Sequence, residues 1–194
     1  MMSNLAPPSL SSNITAANIV SMLRLLSVPF LAYFFIEGAY SWVFWIFIVA
    51  SISDALDGYL ARRLQSATPI GRMLDPIADK VMLITIFYLL GHYDYLPLWL
   101  VFLSISRDLA IILGILILQW KKCPFTTAPA FVSKLNTTLQ MILVLWTLEN
   151  LLYSFPFSFI KESLIYIVLF TTLLSWYDYV VLWIKLMKGG STKS

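Results

Sequence analysis

Residues 41–92 read SWVFWIFIVASISDALDGYLARRLQSATPIGRMLDPIADKVMLITIFYLLGH. Two long apolar runs flank a polar centre, and the break between them falls from Ser66 to Pro69. Neither run alternates apolar and polar residues with period two, so the pair reads as a helical hairpin rather than strands of a barrel. Four of the chain's ten carboxylates lie in it: Asp54, Asp57, Asp75 and Asp79. Asp54 and Asp57 are spaced i,i+3, and Asp75 and Asp79 i,i+4, so each pair occupies one helix face. Counted from a turn centred near residue 67, Asp57 lies ten residues before it and Asp54 thirteen; Asp75 lies eight after it and Asp79 twelve. At about 1.5 Å rise per residue, the two pairs stand at matching depths on antiparallel neighbours.

The rest of the chain has the same character. Of 194 residues, 60% are apolar and only 12% charged, and the mean hydropathy is +0.83. A soluble domain carries roughly twice that share of charge. A soluble enzyme, a disordered chain and a disulfide scaffold are all poor fits to this composition. The apolar residues, about 116 of them, suffice for six spans of about 20 residues each. The single cysteine, Cys123, rules out an intramolecular disulfide or a Cys-cluster metal site. The lone histidine, His92, excludes mechanisms that need two. The expected fold is an all-α integral membrane protein with helices near 18–36, 41–63, 71–92, 96–120, 131–152 and 160–186. A polar segment, 1–17, precedes this membrane domain of 18–187, and a disordered tail, 188–194, follows it.

Basic residues orient such a bundle. Arg24, Arg62, Arg63, Arg72, Lys121, Lys122, Lys134, Lys185, Lys188 and Lys193 fall on one side, whereas the opposite loops hold only Lys161. The positive-inside bias puts both termini in the cytoplasm and the active site near the cytoplasmic face. The segment before residue 14 has no Lys or Arg and resembles neither a secretory signal nor a presequence. A bacterial inner (cell) membrane is therefore the expected location. With most basic residues occupied in topology, no nucleic-acid partner is expected.

Ionisable residues within a span are costly and are functional candidates by default. Four carboxylates converging on one point repel each other unless cations neutralise them. An all-oxygen donor set without His or Cys favours Mg²⁺, Mn²⁺ or Ca²⁺ over Zn²⁺, and several acidic ligands suit a two-metal site for phosphoryl chemistry. Gly58 and Gly71 leave backbone open to an approaching phosphate or nucleotide, and Arg62 and Arg72 stand at the mouth, suited to phosphate oxygens. Two other readings use the same residues. The aspartates could form structural ion pairs with Lys80, Arg62 and Arg107, or could bind Na⁺ or protons for transport. Against transport, the cluster lies near one face rather than at the midplane, and the chain has no matching halves.

Residues 54–79 carry Asp-x2-Asp-Gly-x2-Ala-Arg-x8-Gly-x3-Asp-x3-Asp at every fixed position. This resembles the signature of the CDP-alcohol phosphotransferase family, and the six-span plan resembles the family's core. The resemblance implies that Asp54, Asp57, Asp75 and Asp79 ligate two divalent ions, Mg²⁺ or Mn²⁺, and that Asp79 also acts as general base on the acceptor hydroxyl. It implies a pocket for the cytidine diphosphate group formed by Gly58, Ala61, Arg62 and Gly71, with Thr68 in the intervening loop. It further implies CDP-diacylglycerol as donor, CMP as leaving group and a homodimer.

Residues outside the signature bear on the acceptor. Asn18-Ile-Val-Ser21-Met-Leu-Arg24 opens the first span as in bacterial phosphatidylglycerophosphate synthases and mitochondrial-type cardiolipin synthases. By that resemblance Asn18 contacts the nucleotide, although a plain helix cap explains it equally well. Arg24 is placed to meet phosphates or to snorkel. Arg107, within the fourth span, needs an anion, either a carboxylate or a substrate phosphate, and Asp108 could supply that balance. Lys134 and Asn136 open the fifth span on the expected active-site side, where they suit an acceptor phosphate. An interfacial Lys behind a capping Ser133 is the plainer account. The Arg107-Asp108 pair and Ser133-Lys134-Leu-Asn136-Thr137 resemble the family branch that uses phosphatidylglycerol to make cardiolipin. A branch using glycerol-3-phosphate is the alternative; it more often carries a second Lys where Asn136 stands.

Overall fold

Apolar segments of this length satisfy their backbone groups internally as helices. The computed structural model contains six helices among its described residues: α1 (Ala16–Ile36), α2 (Tyr40–Leu64), α3 (Gly71–His92), α4 (Leu98–Trp120), α5 (Phe131–Tyr153) and α6 (Ser158–Gly189). The structure describes the backbone of residues 16–64, 71–120, 131–153 and 158–189, and side chains over 22–53, 80–114, 131–153 and 159–181. No strand occurs among the described residues. The helix bounds fall within three residues of those read from the sequence. The shift of α4 from 96 to Leu98 has a local cause. Pro97 has no N–H to donate, and its carbonyl accepts from the amides of Leu100 and Val101 as the helix begins.

The expectation of six membrane spans is met only in part. Two stretches, Phe131–Tyr153 and Phe159–Val181, are long and apolar enough to cross a membrane among the described residues. Met22–Ile36, Tyr40–Ser53 and Lys80–His92 are shorter apolar helical stretches. In the first three helices these stretches end where the described side chains end, at Met22, Ser53 and Lys80; α4 carries Arg107 and Asp108 within its described part.

Two connections at one end of the bundle use the same closure. After α1, the amide of Ala39 bonds the Phe34 carbonyl and that of Gly38 the Phe35 carbonyl, with Gly38 at φ 73°. After α3, the amides of Tyr95 and Asp94 bond the carbonyls of Leu90 and Gly91, with Asp94 at φ 60°. This paired bonding, with a left-handed residue just past the helix, ends a helix by satisfying its last carbonyls. Glycine meets the left-handed requirement without strain; aspartate is one of the few other residues that tolerates it.

Around these turns the rings of Phe35, Tyr40, Tyr93 and Tyr95 meet edge-on, and the Tyr40 and Tyr95 hydroxyls are 3.0 Å apart. Every helix contributes to the buried apolar core, with Leu31, Phe47, Ile86, Leu100, Leu143 and Val168 among the contributors. Helix α1 packs against α2 and α3, and α6 against α4 and α5. A methyl group at Gly91 would stand 2.7 Å from Val101 Cγ2, so α3 and α4 approach closely there. Large apolar side chains such as Phe30, Trp45, Phe102, Phe131, Phe159 and Phe170 face outward and are at least 60% exposed. A bundle this apolar on its surface suits a hydrocarbon surrounding rather than water.

Candidate functional site

The carboxylates of the signature lie on two helices. Asp54 and Asp57, with Gly58, Ala61 and Arg62, belong to the C-terminal half of α2; Gly71, Asp75 and Asp79 belong to the N-terminal half of α3. Asn18 is in the first turn of α1. The side chains of these residues, and Thr68 altogether, lie outside the described residues. The chain order therefore puts both aspartate pairs on the ends of α2 and α3 remote from the aromatic turns.

The described side chains begin again at Lys80, immediately after Asp79, and lead into a polar cluster on four helices. Lys80 Nζ donates to Asp108 Oδ1 on α4 at 2.9 Å and to Thr137 Oγ1 on α5 at 3.1 Å. Arg107 Nη1 donates to the same Asp108 oxygen at 2.6 Å. The remaining guanidinium bonds reach α5 and α6: Nη2 donates to Ser133 Oγ at 2.7 Å, and both Nη2 and Nε donate to Ser175 Oγ at 2.6 and 2.9 Å. Nη2 also lies 3.3 Å from the Ser133 carbonyl. Arg107 is only 1% exposed, the largest fully buried side chain described. Buried charge is tolerated when it is both paired and hydrogen-bonded, and this guanidinium is both.

These contacts bear on two expectations. Arg107 was expected to need an anion, either a substrate phosphate or a carboxylate with Asp108 as candidate; here Asp108 is bonded to it, and its other donors are directed at Ser133 and Ser175. Asn136 was expected to bind the acceptor. It is fully buried against α6, where its Oδ1 accepts from the hydroxyls of Thr171 and Thr172 at 2.7 and 3.0 Å. One turn further along α5, Gln140 is also buried, and neither of its amide atoms has a hydrogen-bond partner among the described residues. Asn136 therefore ties α5 to α6. Lys134 remains exposed at the start of α5, and Arg24 is buried within α1.

No bond to a buried cation was expected of Thr137 or Ser175. Hydroxyl residues are common in apolar helices, and nothing in their local spacing distinguishes an acceptor for a cation from a hydroxyl bonded only to its own backbone. Thr85 and Thr147 do the latter, donating to the carbonyls of Val81 and Leu143. Lys80 and Asp108 were visible as charges within apolar segments, but their partnership across 28 positions depends on how α3 meets α4.

No group of three or more His, Cys, Asp or Glu suited to a metal ion occurs among the described residues; the signature aspartates fall outside that set. What the described residues do establish is the disposition of two cations that could have neutralised those aspartates. Lys80 and Arg107 both bond Asp108. The acidic, all-oxygen character of the signature remains suited to hard divalent ions.

Comparison with known proteins adds the following. Residues 14–188 match the family described as CDP-alcohol phosphatidyltransferase. The human protein named cardiolipin synthase (CMP-forming) is 32% identical over 189 residues, covering 89% of this chain and 63% of that protein. The Aquifex aeolicus protein named CDP-diacylglycerol–glycerol-3-phosphate 3-phosphatidyltransferase is 34% identical over 176 residues, covering 88% of this chain and 96% of that protein. The chain thus spans about three fifths of the length of the human relative and of a rat relative of the same name.

Proposed function

Since the chain belongs to the CDP-alcohol phosphatidyltransferase family, we propose that it transfers a phosphatidyl group from CDP-diacylglycerol to a glycerol-type acceptor, phosphatidylglycerol, and releases CMP. The observation that carries this reading is the complete signature from Asp54 to Asp79 on two consecutive helices. All six helices, each of at least 21 residues and so at least about 32 Å long, would cross the bilayer. The signature would lie just below the cytoplasmic surface, with both termini on that side. Acyl chains of both lipids then stay in hydrocarbon while the cytidine group faces water, which suits a donor of mixed polarity. The membrane is that of a bacterial cell, and the active form is a homodimer.

Asp54, Asp57, Asp75 and Asp79 would hold two divalent ions, Mg²⁺ or Mn²⁺. Such ions, when bound, neutralise pyrophosphate charge and stabilise the departing CMP oxygen. Gly58, Ala61, Arg62, Thr68, Gly71 and Asn18 would form the nucleotide pocket, where small residues let the backbone approach the phosphates. Asp79 would accept the proton of the acceptor hydroxyl. The hydroxyl oxygen bonds to the lipid-side phosphorus, and the bond from that phosphorus to the CMP oxygen breaks. Arg24 and Lys134 would attract the acceptor's phosphate. Arg107 and Asn136 would contribute indirectly, by holding α4, α5 and α6 together around it.

Glycerol-3-phosphate is the second reading, favoured by the near-complete coverage of the Aquifex relative. The two readings differ by one cation: Asn136 stands where a second lysine would strengthen binding of a phosphomonoester. The test supplies purified protein with CDP-diacylglycerol and Mg²⁺ or Mn²⁺, offers phosphatidylglycerol and glycerol-3-phosphate in turn, and measures CMP. CMP release with phosphatidylglycerol is expected. Exclusive use of glycerol-3-phosphate would assign the second reading, and no CMP with either acceptor would overturn both.

A further inference from the structure

Two cations lie within the bundle, one of them at the residue after the signature's last aspartate, and one carboxylate oxygen receives both. Lys80 Nζ and Arg107 Nη1 stand 2.9 and 2.6 Å from Asp108 Oδ1. Asp108 is 2% exposed and Arg107 1%, so these attractions are screened far less than at a surface. Arg107 is further saturated by Ser133 and Ser175. Lys80 is different, because it follows Asp79 directly and sits on a flexible four-carbon stem. An ammonium next to an acidic cluster in a poorly polar setting is a strong competitor for its oxygens. It brings one charge where a divalent ion brings two, and it occupies lone pairs that the ion needs. Its bonds to described residues lead to α4 and α5, to Asp108 and Thr137.

We propose that Asp108 is a positioning residue that withholds Lys80 from the signature aspartates, keeping their oxygens open to divalent cations. This rests on the reading that those aspartates bind metal. Arg107 neighbours Asp108 on α4 and already balances its charge, while its bonds to Ser133 and Ser175 join α4 to α5 and α6. Charge balance leaves the second cation on the same oxygen, brought from α3 by Lys80, unexplained. Holding Lys80 accounts for it: Thr137 supplies a neutral acceptor, Asp108 supplies the charge, and both lie on helices other than the signature's own.

The experiment measures Mn²⁺ binding to the purified full chain by electron paramagnetic resonance, alongside the metal concentration that half-activates CMP release. Asp108→Asn keeps the shape of the side chain and removes its charge. It is expected to weaken Mn²⁺ binding about tenfold, the scale of one added competing charge at short range. Half-activating metal should rise in step, and by more than turnover at saturating metal falls. Removing the competitor should reverse this, so Asp108→Asn with Lys80→Met is expected to bind Mn²⁺ within about twofold of the unsubstituted protein. Asp108→Glu should also retain binding. A purely structural role predicts no recovery in the double variant, which loses the Lys80–Thr137 bond in addition to both ion pairs of Asp108.

Unchanged Mn²⁺ binding in Asp108→Asn, or no recovery in the double variant, would overturn the proposal. Should Asp108→Asn not fold, Lys80→Met alone decides, because it leaves Arg107 and Asp108 as a balanced pair. Undiminished Mn²⁺ binding supports the proposal, and a loss of tenfold or more contradicts it. If the unsubstituted protein binds Mn²⁺ but releases no CMP, only the proposed transfer reaction fails. If it binds no Mn²⁺, the metal reading and this inference fail together.

Discussion

The two ends of α3 are held in place by different physics. At its C-terminal end, Phe35, Tyr40, Tyr93 and Tyr95 pack ring edge to ring face, and the turn closes through the amides of Asp94 and Tyr95. Further towards its N-terminal end, Lys80 enters a cluster in which Asp108, Thr137, Arg107, Ser133 and Ser175 are joined by directional bonds. Ring packing tolerates small displacements because dispersion is shallow and spread over many atoms. A buried ionic cluster does not, because removing one member leaves a charge without compensation. The first arrangement closes the bundle; the second fixes Lys80, the residue after the signature's last aspartate, to α4 and α5. Substitutions at the aromatic end should therefore change stability, whereas those at the polar end should also change metal use and turnover.

The largest effect should come from the signature itself. Asp79→Asn removes the proposed base and one metal ligand, and CMP release should fall by about 10²–10⁴-fold while the protein keeps its thermal transition. Retained turnover would remove Asp79 from the mechanism. Next, Arg107→Met exchanges a buried, fully bonded guanidinium for an apolar chain and leaves Asp108 with Lys80 alone. A loss of about 1.5–3 kcal/mol is expected from the hydrogen bonds of the charged group, read as a lower midpoint of unfolding in mixed detergent. An increase in stability would show that the cluster is less tightly coupled than its geometry indicates.

At the other end the effects should be smaller and confined to stability. Gly91→Ala sets a methyl 2.7 Å from Val101 Cγ2 and should cost about 1–3 kcal/mol through overpacking. Val101→Ala in the same protein should recover part of it, since the obstruction is that side chain. The smallest effect concerns the α3 turn. Asp94 occupies φ 60°, so Asp94→Gly should raise the thermal midpoint slightly, by up to about 1 kcal/mol in stability. Altered CMP release in either variant would break the proposed division between the two ends.

The legibility of the chain follows the same division. Helix bounds could be read closely because proline, glycine and charge interrupt otherwise continuous apolar runs, as at Gly38 and Pro97. The signature was legible because fixed spacing on a helix is a local property. Membrane crossing was legible in part: two helices carry a full apolar span among the described residues, whereas α4 carries Arg107 and Asp108, which are buried in the bundle interior. The roles of Arg107 and Asn136 were legible only in part. Asp108 stood out as a possible anion for Arg107, but nothing pointed to Ser175, Thr171 and Thr172, which meet Arg107 and Asn136 in the contacts among α4, α5 and α6. Those partners lie 35 to 68 positions away, and the choice between a substrate and a neighbouring helix is made by packing that no local pattern encodes.

The most direct test of the central claim follows the lipid itself. Purified protein in vesicles receives phosphatidylglycerol and CDP-diacylglycerol labelled in its acyl chains, and the lipid products are identified by mass spectrometry alongside CMP. The account predicts label in a four-chain lipid, formed one-for-one with CMP and only when phosphatidylglycerol and a divalent cation are both present. CMP release that needs no acceptor, or unaltered labelled donor after prolonged incubation, would contradict it.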